Sequence, residues 1–243
     1  LYQSLVSHPD FAQLDFSTLK VVSAGGMAMQ EATAREWARI TGTQVIEGYG
    51  LSETSPVVSS NPVDIDEFNG SIGLPLPATE VQIRDEQGEE VSIGEPGELF
   101  VRGPQVMLGY WENAEATREV LGEDGYLQTG DLATIDEQGY LRIVDRIKDM
   151  IIVSGFKVFP NQVENIVVGH PDIQEAACIG VPTDDSGEAV KLFVVIRKGA
   201  SITPEEIRNW CKEEMTAYKV PRFVEFIDEL PKSNVGKVLR REL

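Results

Sequence analysis

The 243-residue chain is 42% hydrophobic and 25% charged, enough apolar content for one large or two modest folded domains and too much for a disordered chain. Its longest apolar runs, at 150–153 and 192–196, are of strand length, far below the roughly 20 residues of a membrane-spanning helix. Most of the formal net charge of -19 lies in residues 1–147, with 8 basic and 25 acidic groups against 13 and 15 in residues 148–243; so acidic a surface repels polyanions and argues against nucleic acid as a partner.

The first residues, Leu1-Tyr2-Gln3-Ser4, show neither an initiator methionine nor a basic flank with an apolar signal core, and further sequence is expected upstream. An apolar run at 19–24 predicts a buried strand, 30–40 has helical composition, and 44–47 starts another strand; both strands end in glycines, as an α/β unit would. Between 71 and 145 short alternating segments are punctuated by Asp85-Glu86-Gln87-Gly88 and Asp136-Glu137-Gln138-Gly139, predicting hairpins in a small sheet or barrel. After Arg146 come a strand, a helix at 160–169, strands at 173–181 and 189–197, a helix at 203–215 and a strand at 223–227, the pattern of a compact α+β domain. Thr203, Pro204 and Glu206 form the signature of a capped helix start. The expected domains are 1–146 and 147–243, joined by a residue or two that would act as a hinge. Cys178 and Cys211 have no partners at metal spacing, which excludes a zinc site, predicts no disulfide framework and fits a reducing cytoplasm.

Three segments carry groups suited to chemistry. In Glu47-Gly48-Tyr49-Gly50-Leu51-Ser52-Glu53-Thr54 a strand runs into a glycine-rich turn: glycines admit close ligand approach, Tyr49 offers a flat face and Glu53 can hold a hard cation. A solvated turn is an equal reading on residue chemistry alone. In Tyr126-Leu127-Gln128-Thr129-Gly130-Asp131 the final carboxylate could accept both hydroxyls of a ribose, although an Asp after Thr-Gly is more often a turn or cap residue. Near the end, Pro231-Lys232-Ser233-Asn234-Val235-Gly236-Lys237 offers a lysine after a Pro/Gly-punctuated loop, a compact charge suited to oxygens that become negative during reaction. It is not a Walker-type phosphate loop, because no glycine lies at the upstream spacing.

Taken in order, these segments resemble the adenylate-forming superfamily of acyl-CoA synthetases, luciferases and peptide-synthetase adenylation domains. Ser23-Ala24-Gly25-Gly26 resembles its adenine-side loop, Gly48 to Glu53 its Tyr-Gly-x-Thr-Glu motif, and Gly97-Glu98-Leu99 through Gly109-Tyr110 its Gly-Glu-Leu segment. Thr129-Gly130-Asp131, Asp145-Arg146-Ile147-Lys148-Asp149, Ser154-Gly155-Phe156-Lys157 and Gly236-Lys237 continue the series, so the likeness spans the chain. Glu47 and the run from Asp145 to Ile151 look most like bacterial long-chain fatty-acid CoA ligases.

The resemblance implies the fold: the end of a large domain, an α/β unit plus a β-rich subdomain, followed by a small mobile α+β domain. It also implies a ligase that joins a fatty acid to ATP as acyl-AMP, releasing pyrophosphate, and then passes the acyl group to coenzyme A. Tyr49 would stack on adenine beside Gly25 and Gly26, with Gly48 and Gly50 shaping the turn. Asp131 would bind the ribose hydroxyls and Arg146 the ribose or a phosphate. Ser52, where the family usually has Thr, would face the α-phosphate; Glu53 would ligate Mg²⁺; Lys237 would serve adenylation. Rotation about Lys148 would then bring Ser154, Gly155 and Lys157 to coenzyme A. The chain lacks the family's Ser/Thr/Gly-rich loop ending in Pro-Lys-Gly, so by itself it is expected to be inactive. Family analogy also implies a cytoplasmic enzyme with peripheral association at the inner face of the membrane, although no basic amphipathic helix here supports it.

Other readings are a non-catalytic nucleotide-binding module, an aryl or short-chain CoA ligase, and a luciferase-like oxygenase. A hydrolase is disfavoured, because His8 and His170 both sit in His-Pro contexts with no nucleophile signal nearby. Acyl chain length and oligomeric state are not encoded in these motifs.

Overall fold

The computed structural model describes residues 1–234 and 236–243; Val235, inside the lysine-bearing loop, lies outside the described residues. The chain separates into two compact units, Leu1–Ile143 and Val144–Leu243. The division falls three residues before the junction read from sequence, for a definable reason. Asp145, 1% exposed, accepts hydrogen bonds from the backbone N–H groups of Arg146 and Asn161, both at 2.8 Å, and so belongs to the second unit.

The first unit begins with the short helix α1 (Tyr2–Val6), strand β1 (Val22–Ala24), helix α2 (Glu31–Thr41) and strand β2 (Val45–Gly50), with β1 and β2 parallel and Val22 opposite Val45. The helix α2 buries Ala34 and Trp37 on one face, Trp37 packing with Phe11, Val22 and Val45, while Glu31 and Arg35 pair on the outside one turn apart. It stops at Gly42, which takes the left-handed C-terminal conformation. The sheet continues antiparallel through β3 (Val57–Ser60) and β4 (Leu74–Pro75).

A second sheet has the order of the chain: β5 (Glu80–Arg84), β6 (Gly97–Arg102), β7 (Leu127–Ile135) and β8 (Leu141–Arg146). The strand β6 alternates as its sequence predicts, with Leu99 and Val101 fully buried between the half-exposed Glu98, Phe100 and Arg102. Between β6 and β7, within a stretch read from sequence as β-rich, lies helix α3 (Ala114–Val120), started by the Asn113 side chain accepting from the Ala116 N–H at 3.1 Å.

The second unit opens with a hairpin, β9 (Ile151–Val153) and β10 (Phe156–Val158), followed by helix α4 (Pro160–Val168). Then come strands β11 (Ile173–Thr183) and β12 (Gly187–Ile196), helix α5 (Pro204–Glu214) and strand β13 (Phe223–Phe226). The sheet order is β10-β9-β12-β11, with β13 added parallel to β12. The strand β12 is buried on both faces. Val190, Leu192 and Val194 pack with Val163, Val167 and Ile207 of the helices, whereas Phe193 and Val195 pack with Leu230 of the C-terminal tail. That is why its sequence reads as a continuous apolar run rather than an alternation. The capping box expected at Thr203 is present: its Oγ1 accepts from the Glu206 N–H at 3.3 Å while the Glu206 carboxylate accepts from the Thr203 N–H at 2.8 Å.

Candidate functional site

In the first unit β2 runs three residues further than the sequence suggested. Gly48, Tyr49 and Gly50 pair with Ser60, Ser59 and Val57 of β3, so the glycines extend the strand and the turn follows them. That turn, Ser52–Thr54, is shaped by the fully buried Thr54. Its Oγ1 accepts from the Leu51 N–H at 3.0 Å and donates to the Pro56 carbonyl at 2.6 Å. Ser52 is exposed and Glu53 half-buried at its tip.

Four contacts bring motif residues together here. A Cβ on Gly25 would stand 3.3 Å from the Gly48 carbonyl oxygen, so the loop after β1, with Gly25 and Gly26, lies against the start of the Gly-Tyr-Gly segment. The Tyr49 hydroxyl donates to Asp131 Oδ2 at 2.5 Å, joining residues 82 positions apart. The Tyr110 hydroxyl donates to Glu53 Oε1 at 2.9 Å, and the Met107 N–H to the Glu53 carbonyl at 2.8 Å. The Glu53 carboxylate pushes the Tyr110 hydroxyl above its ordinary pKa, with a smaller contribution from burial.

Asp131 is 4% exposed, at the bend where Gly130 has a φ of 72°. Glu98 holds that bend: its carboxylate accepts from the Gly130 N–H at 3.0 Å and from Gln128 Nε2 at 2.8 Å, while Thr129 Oγ1 donates to the Leu99 carbonyl at 2.7 Å. Glu47 performs a similar task for the glycine loop, accepting from the Met29 N–H at 3.0 Å. Burial pushes the Glu47 carboxyl above its ordinary value, and the Met29 hydrogen bond offsets part of the rise. Sequence reasoning assigned no role to Tyr110, Thr54 or Glu98. Tyr110 and Glu98 stand inside a recognised motif, which was the available signal; Thr54 gave only the hydroxyl of a turn-forming residue.

In the second unit the expected residues are exposed, at strand ends and turns. Arg146 and Lys148 are exposed, Lys148 in the single 3-10 turn Ile147–Asp149. Ser154 and Gly155 form the two-residue turn of the β9–β10 hairpin, both left-handed with φ of 50° and 84°. A Cβ on Gly155 would have nothing within 4 Å, so its backbone, and not crowding, calls for glycine. Lys157 follows, exposed on β10. Lys237 is exposed in a loop closed by the Lys232–Val238 bridge, where the Ser233 N–H donates to the Lys237 carbonyl at 2.8 Å.

Among the described residues no three His, Cys, Asp or Glu side chains cluster as a self-sufficient metal cage. A lone Glu53 carboxylate, fixed by Tyr110, fits a cation whose remaining ligands are water and substrate phosphates, the usual manner of Mg²⁺. Among the described residues no helix is long and apolar enough to cross a membrane. Both cysteines are buried and unpaired with each other, and burial pushes the Cys211 thiol up to about 11.

A tyrosine hydroxyl on a buried aspartate, a glycine loop against the start of the same strand segment and a carboxylate at the next turn are thus gathered on an α/β scaffold. The chain belongs to the AMP-binding enzyme family: the family model for the AMP-binding enzyme matches residues 1–111 and that for the AMP-binding enzyme C-terminal domain matches residues 162–237. A long-chain-fatty-acid–CoA ligase of Yersinia pestis is 57% identical over all 243 residues, and the chain spans 43% of that relative's length. A feruloyl-CoA synthase of an Amycolatopsis species is 40% identical over 244 aligned residues and is spanned to 49%. Among solved structures, ATP-bound MatB from Rhodopseudomonas palustris superposes with a TM-score of 0.93 at 36% identity, over 99% of this chain and 48% of that one.

Proposed function

We propose that the chain is the C-terminal part of an ATP-dependent long-chain fatty acid–CoA ligase. The observation that supports the reaction class is the pairing of Tyr49 with Asp131 at 2.5 Å, an aromatic ring beside a carboxylate whose two oxygens suit the hydroxyls of a ribose. The choice of a long-chain acid rests on the relatives of that name, of which the one from Yersinia pestis is 57% identical.

In the first half-reaction a fatty carboxylate oxygen attacks the α-phosphorus of ATP and pyrophosphate leaves. Gly25, Gly26, Gly48 and Gly50 shape the adenine side, Tyr49 supplies the stacking face, Asp131 accepts the ribose hydroxyls, and Arg146 meets the ribose or a phosphate. The Ser52 hydroxyl faces the α-phosphate. Glu53 would hold Mg²⁺, which supplies charge neutralisation to the phosphates when bound. Lys237 holds the attacking carboxylate and offsets the charge that builds on the α-phosphate oxygens. In the second half-reaction the thiol of coenzyme A attacks the acyl carbonyl and AMP leaves. Rotation about Lys148 would withdraw Lys237 and present the Ser154-Gly155 turn and Lys157 to the pantetheine arm. Residues 1–243 alone do not adenylate, on this reading, because the Pro-Lys-Gly phosphate loop is contributed by the rest of the protein. The setting is cytoplasmic, with reversible contact at the inner face of the membrane where long-chain acids partition.

The test is acyl-dependent pyrophosphate release by the full-length ligase with ATP, Mg²⁺ and a panel of acids, coenzyme A being added afterwards. Long-chain acids should support both steps, and residues 1–243 neither. The feruloyl-CoA synthase, 40% identical, favours an aryl acid as the second reading, and turnover of aryl but not fatty acids would replace the first. A folded, ATP-binding enzyme that turns over no acid would mark the chain as part of a binding module.

A further inference from the structure

Lys237 itself is exposed, yet the segment carrying it is held on both sides by ion pairs. Upstream, Lys232 Nζ contacts both Glu175 carboxylate oxygens at 2.7 Å. Downstream, Arg240 turns inward. Its Nη2 donates to both Glu164 oxygens at 2.9 and 2.8 Å and to Asn161 Oδ1 at 3.1 Å, and its Nη1 donates to Asp149 Oδ2 at 3.3 Å. The side chains of Arg240, Glu164 and Asp149 are 21%, 15% and 19% exposed, so the cluster is screened from water far more than a surface pair. Burial pushes the Glu164 carboxyl up, and the charge of Arg240 draws it back down. Glu164 also accepts from the Cys178 N–H at 2.8 Å, which fixes it to β11.

The placement of these partners matters more than their number. Asp149 is the residue after Lys148, and Glu164 and Asn161 lie on α4, whereas Arg240 lies three residues after Lys237. One planar guanidinium therefore ties the lysine loop to the turn that contains the expected pivot. A fork with several fixed donors sets a distance and an angle, which a single ammonium cannot do.

We propose that Arg240 is a positioning residue, setting where Lys237 stands relative to the Ile147–Asp149 turn so that adenylation depends on it and thioester formation does not. This rests on the reading of Lys237 as the adenylation lysine. A local uncoupling of the loop would displace the ammonium by an ångström or so, and displacements of that size cost on the order of 10²-fold in rate.

The experiment compares the full-length wild type with Arg240→Gln and Arg240→Lys in separate half-reactions. Arg240→Gln should lower acyl-dependent pyrophosphate release by about 30-fold, while acyl-CoA formation from supplied acyl-AMP changes by less than about 3-fold. Arg240→Lys should fall between, since it keeps the charge and loses the fork. In a Lys237→Ala background Arg240→Gln should add nothing, a non-additivity that a merely structural arginine would not produce. Equal slowing of both half-reactions, or full additivity with Lys237→Ala, would overturn the proposal. Should Arg240→Gln fail to fold, Asp149→Asn touches only the 3.3 Å contact and should still lower adenylation alone; no change in either half-reaction overturns the proposal. A wild type that releases no acyl-dependent pyrophosphate sinks the assignment of function itself, and is recognised by occurring before any substitution is made.

Discussion

In the first unit the motif side chains hold one another: the Tyr49 hydroxyl is on Asp131 and the Tyr110 hydroxyl is on Glu53, with Glu98 and Glu47 bracing the backbone bends beside them. In the second unit Lys148, Gly155 and Lys237 stand at exposed turns and Lys157 on an exposed strand, and the segment carrying Lys237 is held from behind, by Arg240 with Glu164 and by Lys232 with Glu175. The first arrangement suits a pocket whose groups must be aligned before a ligand enters, because prealigned dipoles need no reorganisation during reaction. The second suits groups that are presented to a ligand, where precision has to come from the scaffold. Damage to the first region should therefore be local and graded, whereas damage to the second should be selective for one half-reaction.

The largest effect that would sharpen this contrast, on the proposed function, is that of Lys237→Ala in the full-length protein. Adenylation should fall by at least about 10²-fold, with thioester formation from supplied acyl-AMP nearly unchanged. Equal loss in both steps would erase the distinction between the units. Next, Asp131→Ala removes the partner of Tyr49 and should raise the KM for ATP by about 10- to 100-fold, as expected for a hydrogen-bonded charged group at a cost of about 1.5–3 kcal/mol. Tyr110→Phe is milder: it should raise the Mg²⁺ concentration at half-maximal pyrophosphate release by about 3- to 10-fold while leaving the melting temperature close to wild type. An unchanged Mg²⁺ dependence would detach Glu53 from the cation.

The smallest effect concerns pH. Burial favours the neutral form of Glu47, so its contribution to stability is present below the ordinary carboxylate range and is lost as the pH rises through its raised folded value. Glu47→Gln removes that loss. The difference in melting temperature should move in the variant's favour by about 2 °C between about pH 4 and about pH 7. A difference independent of pH would show that Glu47 is not desolvated in solution.

Where a sequence signal was local, it was legible. The cap of α5 is written in Thr203, Pro204 and Glu206, and the apolar run of β12 follows from burial on both faces. The helix α3 was hidden because it buries none of its seven residues, so there is no apolar stripe to read; a polar cap alone starts it. The extension of β2 through Gly48 and Gly50 runs against glycine's poor strand preference and is decided by pairing with β3, a tertiary effect. The site divides in the same way. Tyr49, Glu53 and Asp131 belong to recognisable motifs, but Arg240 acquires its meaning from partners 76 and 91 positions away, which no window on the sequence contains.

Two motif glycines illustrate how differently a chain can be closed to change. At Gly50 a Cβ would fall 1.8 Å from the Pro56 carbonyl oxygen, inside the strand pair itself, so every other residue meets a wall of backbone. At Gly155 the space is open and only a φ of 84° resists, a cost of roughly 1–2 kcal/mol that is lowest for Asn and Asp. In a saturation library under selection for acyl-CoA synthesis, position 50 should therefore be an evolutionary dead end. Position 155 should be a slope, along which, if the proposed role of this turn holds, variants with altered handling of coenzyme A are reached one step at a time.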